Sequence, residues 1–203
     1  MNLKRFYRAL TIIFLLMTTI CNEAYGFWWT EDENEKALNN SRAIEASVKV
    51  FGQSWAKKNQ GVFLGSSCGA IVDMTCGWDI SVMTNQKLTI DEARPVIVKA
   101  IEGFLQLIYS NSGFQNDVVD MRKRYPRWTI GDVAPDKIGI KLAFWDENVD
   151  RPLPPYLAQV RVVGGKILYF EANAHDQSLR EPPYSETIEE AFAKIGYPLP
   201  QPY

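Results

Sequence analysis

Hydrophobic residues recur along this chain at two spacings, which predict its helices and strands. Over residues 34–58 the apolar side chains recur at steps of four, three and four, as on one face of a helix. These side chains are Ile44, Val48, Phe51 and Trp55. A second helix is predicted over residues 90–110, because Thr89 and Glu92 have the spacing of a capping box. Its apolar stripe consists of Ile97, Ile101, Phe104, Leu105 and Ile108.

Most of the remaining pattern is typical of strands. Strands are predicted over residues 62–64, 71–83, 137–145, 156–163 and 166–172. Gly65 and Gly69 indicate a bend or bulge between the first two. Gly164-Gly165 is a two-residue hairpin signal between the last two. A final helix is predicted from about residue 186 to residue 195.

This arrangement predicts an α+β domain. Strands in runs, with the helices segregated between them, favour an antiparallel sheet over a doubly wound one. We expect about four to five strands, covered by the long helix over residues 90–110. The amino- and carboxyl-terminal helices are expected to flank this core.

The first 26 residues have the tripartite pattern of a cleavable secretory signal. Cations precede an apolar run from Ala9 to Ile20, which is shorter than the roughly 20 residues of a membrane-spanning helix. Small residues at positions 24 and 26 predict cleavage before Phe27. We therefore expect an exported chain, periplasmic or extracellular, with one domain over residues 27–203.

Lipid anchoring at Cys21 is the alternative to simple cleavage. Lipidation usually requires a small residue before the cysteine and a leucine at the third position before it. Ile20 and Thr18 stand at these two positions, so we expect no lipid anchor. The mature chain contains no apolar run long enough for a transmembrane helix.

Removal of the signal changes both the charge and the amino end. The formal net charge changes from −2 to −4, because the signal contains three cations and one acid. This mildly acidic balance does not favour nucleic acid as a partner. The new amino end would be Phe27-Trp28-Trp29, which we interpret as a docking end for a membrane interface or a partner. Packing of these rings onto their own domain is the alternative.

Cys68 and Cys76 are the cysteines that remain after cleavage, and an exported chain makes a disulfide between them plausible. Bridged Cα atoms must lie within about 7 Å, whereas eight residues along one strand span roughly 26 Å. A bridge therefore requires the chain to double back near Gly69 or to bulge sharply. Two free buried thiols are the alternative.

Catalytic candidates lie in the segment Gly65-Ser66-Ser67-Cys68-Gly69, which matches the nucleophile-elbow pattern. The order Ser67, Asp146, His175 is that of an α/β-hydrolase, and Cys68 with His175 could form a thiol dyad. The elbow should follow a central parallel strand, which the predicted elements do not provide. A glycine-rich bend is therefore the favoured interpretation, and no catalytic residue is predicted.

Metal and cofactor sites are not expected. One histidine and two distant cysteines do not form a zinc site. The acidic turn Asp146-Glu147-Asn148 with Asp150 has the oxygen ligands of a calcium site, but acidic turns without a metal are far commoner.

A basic segment with two aromatics spans residues 122–128. Its cations and tryptophan are candidate binding residues: Arg122, Lys123, Arg124, Arg127 and Trp128. Such a segment suits a phosphate-bearing lipid, an anionic glycan or an acidic protein surface. A solvated basic loop is the alternative.

Three stretches of the chain stand out together: residues 87–95, residues 102–111 and the hairpin Gly164-Gly165-Lys166-Ile167-Leu168-Tyr169. They resemble an uncharacterised family of small exported α+β proteins from intracellular bacteria. The resemblance covers roughly residues 60–195. It implies export and one α+β domain; the family has no assigned activity, so no functional residue is transferred.

The leading hypothesis is an exported, non-catalytic domain that binds a protein or an anionic component of the cell envelope. It rests on the absence of a convincing catalytic set and on the two aromatic-rich candidate surfaces. A small serine or cysteine hydrolase is the first alternative. A structural envelope component, which predicts oligomers, is the second.

Overall fold

A computed structural model describes residues 31–70, 76–114, 138–146, 148 and 150–201 and has an α+β fold. The elements in chain order are α1 (Glu31–Lys58), β1 (Gly61–Ala70), β2 (Cys76–Thr84), α2 (Ile90–Ser110), β3 (Ile138–Phe144), β4 (Gln159–Val163), β5 (Lys166–Phe170), β6 (Tyr184–Thr187) and α3 (Ile188–Lys194). The chain divides into two units, Met1–Asn39 and Asn40–Tyr203. In the first unit, residues 31–39 form the start of α1; the second unit contains the sheet.

A capping box starts each of the helices α2 and α3. At α2, Thr89 donates its backbone N–H to the Glu92 carboxylate at 2.9 Å, as the spacing predicts. At α3, Thr187 accepts from the Glu190 N–H at 3.1 Å and donates its own N–H back at 2.9 Å. The final helix therefore begins at Ile188, two residues later than predicted.

The six strands form one sheet in the order β1-β2-β3-β4-β5-β6. Neighbouring strands run antiparallel except β2 and β3, which are parallel. The prediction of an antiparallel sheet with four to five strands is therefore wrong in both respects. The parallel pair arises because the connection between β2 and β3 is long enough to contain α2, whereas a tight hairpin would have reversed the chain. The extra strand is the short edge strand β6.

One hydrophobic core joins the sheet to the helices. All five residues of the predicted α2 stripe are 0% exposed, and the predicted alternation of β3 buries Ile138, Ile140, Leu142 and Phe144. Helix α1 contributes Ile44, Val48 and Trp55, and α3 contributes Ile188 and Phe192. Because three helices contribute to the core, the expectation that α2 alone covers the sheet is not confirmed.

Helix α1 also makes a close contact with the edge strand β1. A Cβ atom on Gly52 would lie 2.3 Å from the Phe63 ring, so glycine is required for this approach. Phe51 of the same helix stacks on Phe104 of α2, with ring centroids 5.3 Å apart. Helix α1 and strand β1 therefore pack so closely that a single added carbon atom would clash.

Candidate functional site

Two of the surfaces predicted from the sequence lie outside the described residues. They are the amino-terminal aromatics and the basic segment: Phe27, Trp28, Trp29, Arg122, Lys123, Arg124, Arg127 and Trp128. The signal cleavage site and Cys21 lie outside the described residues as well. All of these assignments stay predictions.

The described backbone does not bring the hydrolase candidates together. Ser67 and Cys68 lie in β1, and Ser67 is opposite Asp79 of β2. His175 is an exposed loop residue that follows β5, which ends at Phe170. Three strands separate β1 from β5, a distance of roughly 19 Å at the usual strand spacing. The register also places Ser67 and His175 towards opposite ends of the sheet.

The predicted disulfide stays a prediction, although the backbone doubles back as that bridge requires. Strands β1 and β2 are antiparallel, with Ala70 opposite Cys76 and Cys68 opposite Trp78. The two cysteines are therefore diagonal neighbours across the strand pair. Diagonal Cα atoms are typically about 7–8 Å apart, just beyond the usual range for a bridge.

A buried carboxylate that the sequence analysis missed lies where β6 meets α2 and α3. The Glu186 side chain is 1% exposed and forms ion pairs with Arg94 of α2 and Lys194 of α3, each at 2.8 Å. Its Oε1 also accepts a 2.6 Å hydrogen bond from the Tyr169 hydroxyl, and its Oε2 accepts one from Tyr184 at 3.2 Å. Both carboxylate oxygens thus have two donors each.

The pKa shifts show that this cluster is held in one protonation state. Burial alone would raise the pKa of Glu186, but the hydrogen bonds from Lys194, Tyr169 and Arg94 outweigh it and lower that pKa. Burial and the bond to Glu186 raise the pKa of the Tyr169 hydroxyl strongly. A carboxylate held ionised and a phenol held neutral are poor proton carriers near neutral pH. The cluster therefore stabilises the junction of β6, α2 and α3.

The side of the sheet opposite the core presents a different chemistry, and we call it the outward face. In β3–β6 it consists of the residues that alternate with the core positions: Gly139, Lys141, Ala143, Gln159, Arg161, Val163, Lys166, Leu168, Phe170, Ser185 and Thr187. This set contains three exposed cations and no acid. One acid, Asp79 of β2, lies beside it, with its carboxylate over Gly139.

Two of these cations are direct cross-strand partners. Lys141 of β3 pairs with Arg161 of β4, and the partner of Arg161 on the next strand is the apolar Leu168. The Arg161 guanidinium lies 5.5 Å from the centroid of the Phe170 ring. Among the described residues, neither Lys141 nor Arg161 forms an ion pair. At the hairpin end, Val163 is 54% exposed.

Sequence reasoning missed these cations because each is a single polar residue within an apolar strand. The alternation around Lys141 and Arg161 shows that each points away from the core. Only the register between β3 and β4 shows that the two are adjacent.

In the acidic turn after β3, the first carboxylate accepts hydrogen bonds from the backbone of the turn itself. Asp146 Oδ1 accepts the backbone N–H groups of Asn148 at 2.8 Å and Asp150 at 3.0 Å. These bonds are those of a solvated Asx-type turn. Across the described ranges, no group of three or more His, Cys, Asp or Glu side chains is placed to hold a metal ion.

None of the helices in the described ranges is long and apolar enough to cross a membrane. Comparisons with protein-family models, with curated proteins and with solved structures find no match for this chain.

Proposed function

We propose that this chain is an exported, non-catalytic domain that binds an anionic component of the cell envelope through its outward face. The observation that carries the proposal is the cross-strand pair of cations Lys141 and Arg161. The third cation, Lys166, lies on the same face at the β4–β5 hairpin.

A like-charge pair directly across two strands is normally avoided. Such a pair destabilises a sheet by a few tenths of a kcal/mol up to about 1 kcal/mol. Local rules of this kind are most often broken where function requires it, and an anionic partner that attracts both Lys141 and Arg161 would offset their repulsion. On β3–β6 the outward face has no acid, and the acid beside it is Asp79 of β2, which lies over Gly139.

The apolar residues beside the cations support a lipid surface rather than a small anion. Val163 is 54% exposed, and Leu168 and Phe170 are half-buried on the same face. A sheet face that combines exposed cations with apolar side chains fits the boundary between anionic headgroups and acyl chains. The basic segment 122–128, which the sequence singles out, has the same chemistry.

The test is sedimentation of the purified chain with vesicles of phosphatidylcholine, with and without phosphatidylglycerol. A cation near an anionic surface contributes about 1 kcal/mol, so Lys141→Gln with Arg161→Gln should weaken binding by about 30-fold. The matched control is Lys49→Gln with Lys99→Gln, which removes the same charge from exposed helix positions. The control should bind like the unaltered chain.

Equal binding of vesicles by both double variants would contradict the proposal that the outward face is the binding surface. Equal sedimentation with and without phosphatidylglycerol would show that the partner is not an anionic lipid. A protein captured from an envelope fraction, with vesicle binding absent, would identify the partner as a protein instead. Arg122→Ala with Arg124→Ala tests the basic segment separately, and unchanged retention would exclude it.

A further inference from the structure

A cavity of about 390 Å³ lies at the end of the sheet opposite the β4–β5 hairpin, away from the outward-face cations. Three connections line it: that between β2 and α2, that between β3 and β4, and that between β5 and β6. This volume is near the lower end of the range for small-molecule sites, about 300–1,000 Å³.

Hydrogen bonds between the three connections hold the walls in place. Leu157 donates its N–H to the Leu88 carbonyl at 2.8 Å, which joins the first connection to the second. The Arg151 N–H donates to Gln177 Oε1 at 2.9 Å, and the Arg151 guanidinium donates to the Gln177 carbonyl, which joins the second to the third. Walls that are ordered before a ligand arrives lower the entropic cost of binding.

The lining contains charges of both signs, and among the described residues they do not form ion pairs with each other. Lys87 and Arg151 supply two cations, and Asp146 and Asp150 supply two carboxylates. Across the part of the chain that the structure describes, no ion pair within 4.0 Å joins a cation of this lining to one of its carboxylates. Lys87 and Asp150 are exposed, so their charges are open to a ligand.

Local contacts hold one charge of each sign in position. The Arg151 guanidinium lies 5.4 Å from the centroid of the Trp145 ring, and Asp146 is held by the two backbone N–H groups of its turn. An apolar surface completes the lining, where Leu153 is 43% exposed and Tyr156 is 38% exposed.

The combination selects among ligand classes. A simple anion would meet the two carboxylates, a simple cation would meet the lysine and the arginine, and a neutral apolar ligand would desolvate four charged groups without compensation. A ligand with one charge of each sign and an apolar side chain satisfies all three parts of the lining. We propose that this cavity binds a small zwitterion with an apolar side chain, which is the chemistry of a free apolar amino acid.

The proposal is tested by titrating the full chain with L-phenylalanine, using calorimetry or ligand-observed NMR. Two analogues each lack one charge: phenethylamine has no carboxylate, and 3-phenylpropionate has no ammonium group. We expect saturable binding of L-phenylalanine and binding weaker by about tenfold for each analogue, since each loses a charge-assisted hydrogen bond.

Two variants then assign the charges to the ends of the ligand. Lys87→Gln should weaken L-phenylalanine and 3-phenylpropionate by about three- to fivefold and leave phenethylamine unchanged. Asp150→Asn should weaken L-phenylalanine and phenethylamine by about the same factor and leave 3-phenylpropionate unchanged. The control Lys99→Gln, at an exposed position of α2, should change none of them.

Saturable binding that both variants leave unaltered would place the ligand elsewhere and overturn the proposal. The absence of saturable L-phenylalanine binding at millimolar concentration would overturn it too, as would equal affinity for all three compounds. A neutral sugar that binds in place of the amino acid would show that the lining recognises hydroxyl groups, which also contradicts the proposal.

Discussion

Glu186→Gln is the substitution that most directly tests the buried carboxylate cluster. The amide has the shape of the carboxylate but removes its charge and replaces one acceptor oxygen by a donor. Oε1 accepts from Arg94 and Tyr169, while Oε2 accepts from Lys194 and Tyr184. In either orientation, the new NH₂ group faces two donors. The lower-energy orientation places it towards Lys194, whose side chain is 44% exposed and can turn into water.

The size of the stability loss depends on which charged groups stay buried in the variant. In that orientation the Tyr169 bond survives, while Arg94, with a side chain only 12% exposed, loses its buried anion and keeps only its ion pair with the exposed Asp91 at 2.7 Å. Breaking a buried ion pair by removing one partner costs about 3–5 kcal/mol. We expect a loss near the lower limit, about 3 kcal/mol, because Lys194 regains hydration. In a domain of this size that loss lowers Tm by about 6–12 °C.

The measurement is urea unfolding of the Glu186→Gln variant and of the unaltered chain at neutral and at acidic pH. Folding lowers the pKa of Glu186, so the stability that its charge contributes is fully present above the unfolded value of 4.5. It is lost as the pH falls through the lower folded-state pKa. The unaltered chain and the Glu186→Gln variant should therefore differ in unfolding free energy by a constant amount near neutral pH. This difference should become smaller below pH 4.5.

Glu189→Gln is the matched control, because it makes the same change at an exposed position of α3. It should alter the free energy of unfolding by less than about 0.5 kcal/mol. A loss below about 1 kcal/mol for Glu186→Gln, or a difference that stays constant into acid, would refute the view that the ionised carboxylate holds the junction.

Three further outcomes are expected. Thr187→Ala should destabilise the fold by about 1 kcal/mol in urea unfolding, since it removes the cap on the Glu190 N–H; an unchanged midpoint would contradict the cap. Gly52→Ala should destabilise by about 1–3 kcal/mol despite its better helix propensity, and adding Phe63→Leu should recover part of the loss if the clash is the cause. Stability should fall above pH 10, because the unfolded Tyr169 phenol ionises there and the folded one does not; Tyr169→Phe should flatten that fall, and an equal slope would assign it to other groups.

Local features of this fold could be predicted because short stretches of sequence encode them. Thr89 and Glu92 mark the start of α2, and Gly164-Gly165 marks the β4–β5 turn, where both glycines have positive φ. Thr187 and Glu190 repeat the capping pattern of α2, so the start of α3 was predictable from the sequence too. It was placed two residues early because the strand that precedes it, β6, has only four residues.

Features that depend on distant partners could not be predicted in this way. Glu186 lies in a short polar stretch that suggests a solvated turn, and its burial depends on Arg94, which is 92 residues away in the chain. The proximity of Lys141 and Arg161 likewise follows only from the strand register. Local periodicity contains no information on long-range pairing, and both the Glu186 cluster and the Lys141–Arg161 pair depend on such pairing.

The parallel pair in the middle of the sheet has a consequence for how the chain folds. Strands β1 and β2 form a hairpin, and strands β3 to β6 are neighbours in chain order. Each of these two groups of strands can therefore pair early in folding. Joining the groups pairs Trp78 with Ile138, sixty residues along the chain. Closing that loop costs about 2 kcal/mol more than closing the six-residue span from Ala70 to Cys76.

Until that closure, both groups have an unpaired strand edge, on β2 and on β3. Both strands alternate apolar residues with others and would pair readily with a second chain. We therefore expect the contact that completes the sheet to be the slow step of folding and the point of greatest exposure to aggregation. We expect the rate of this one parallel pairing to set the yield of folded chain.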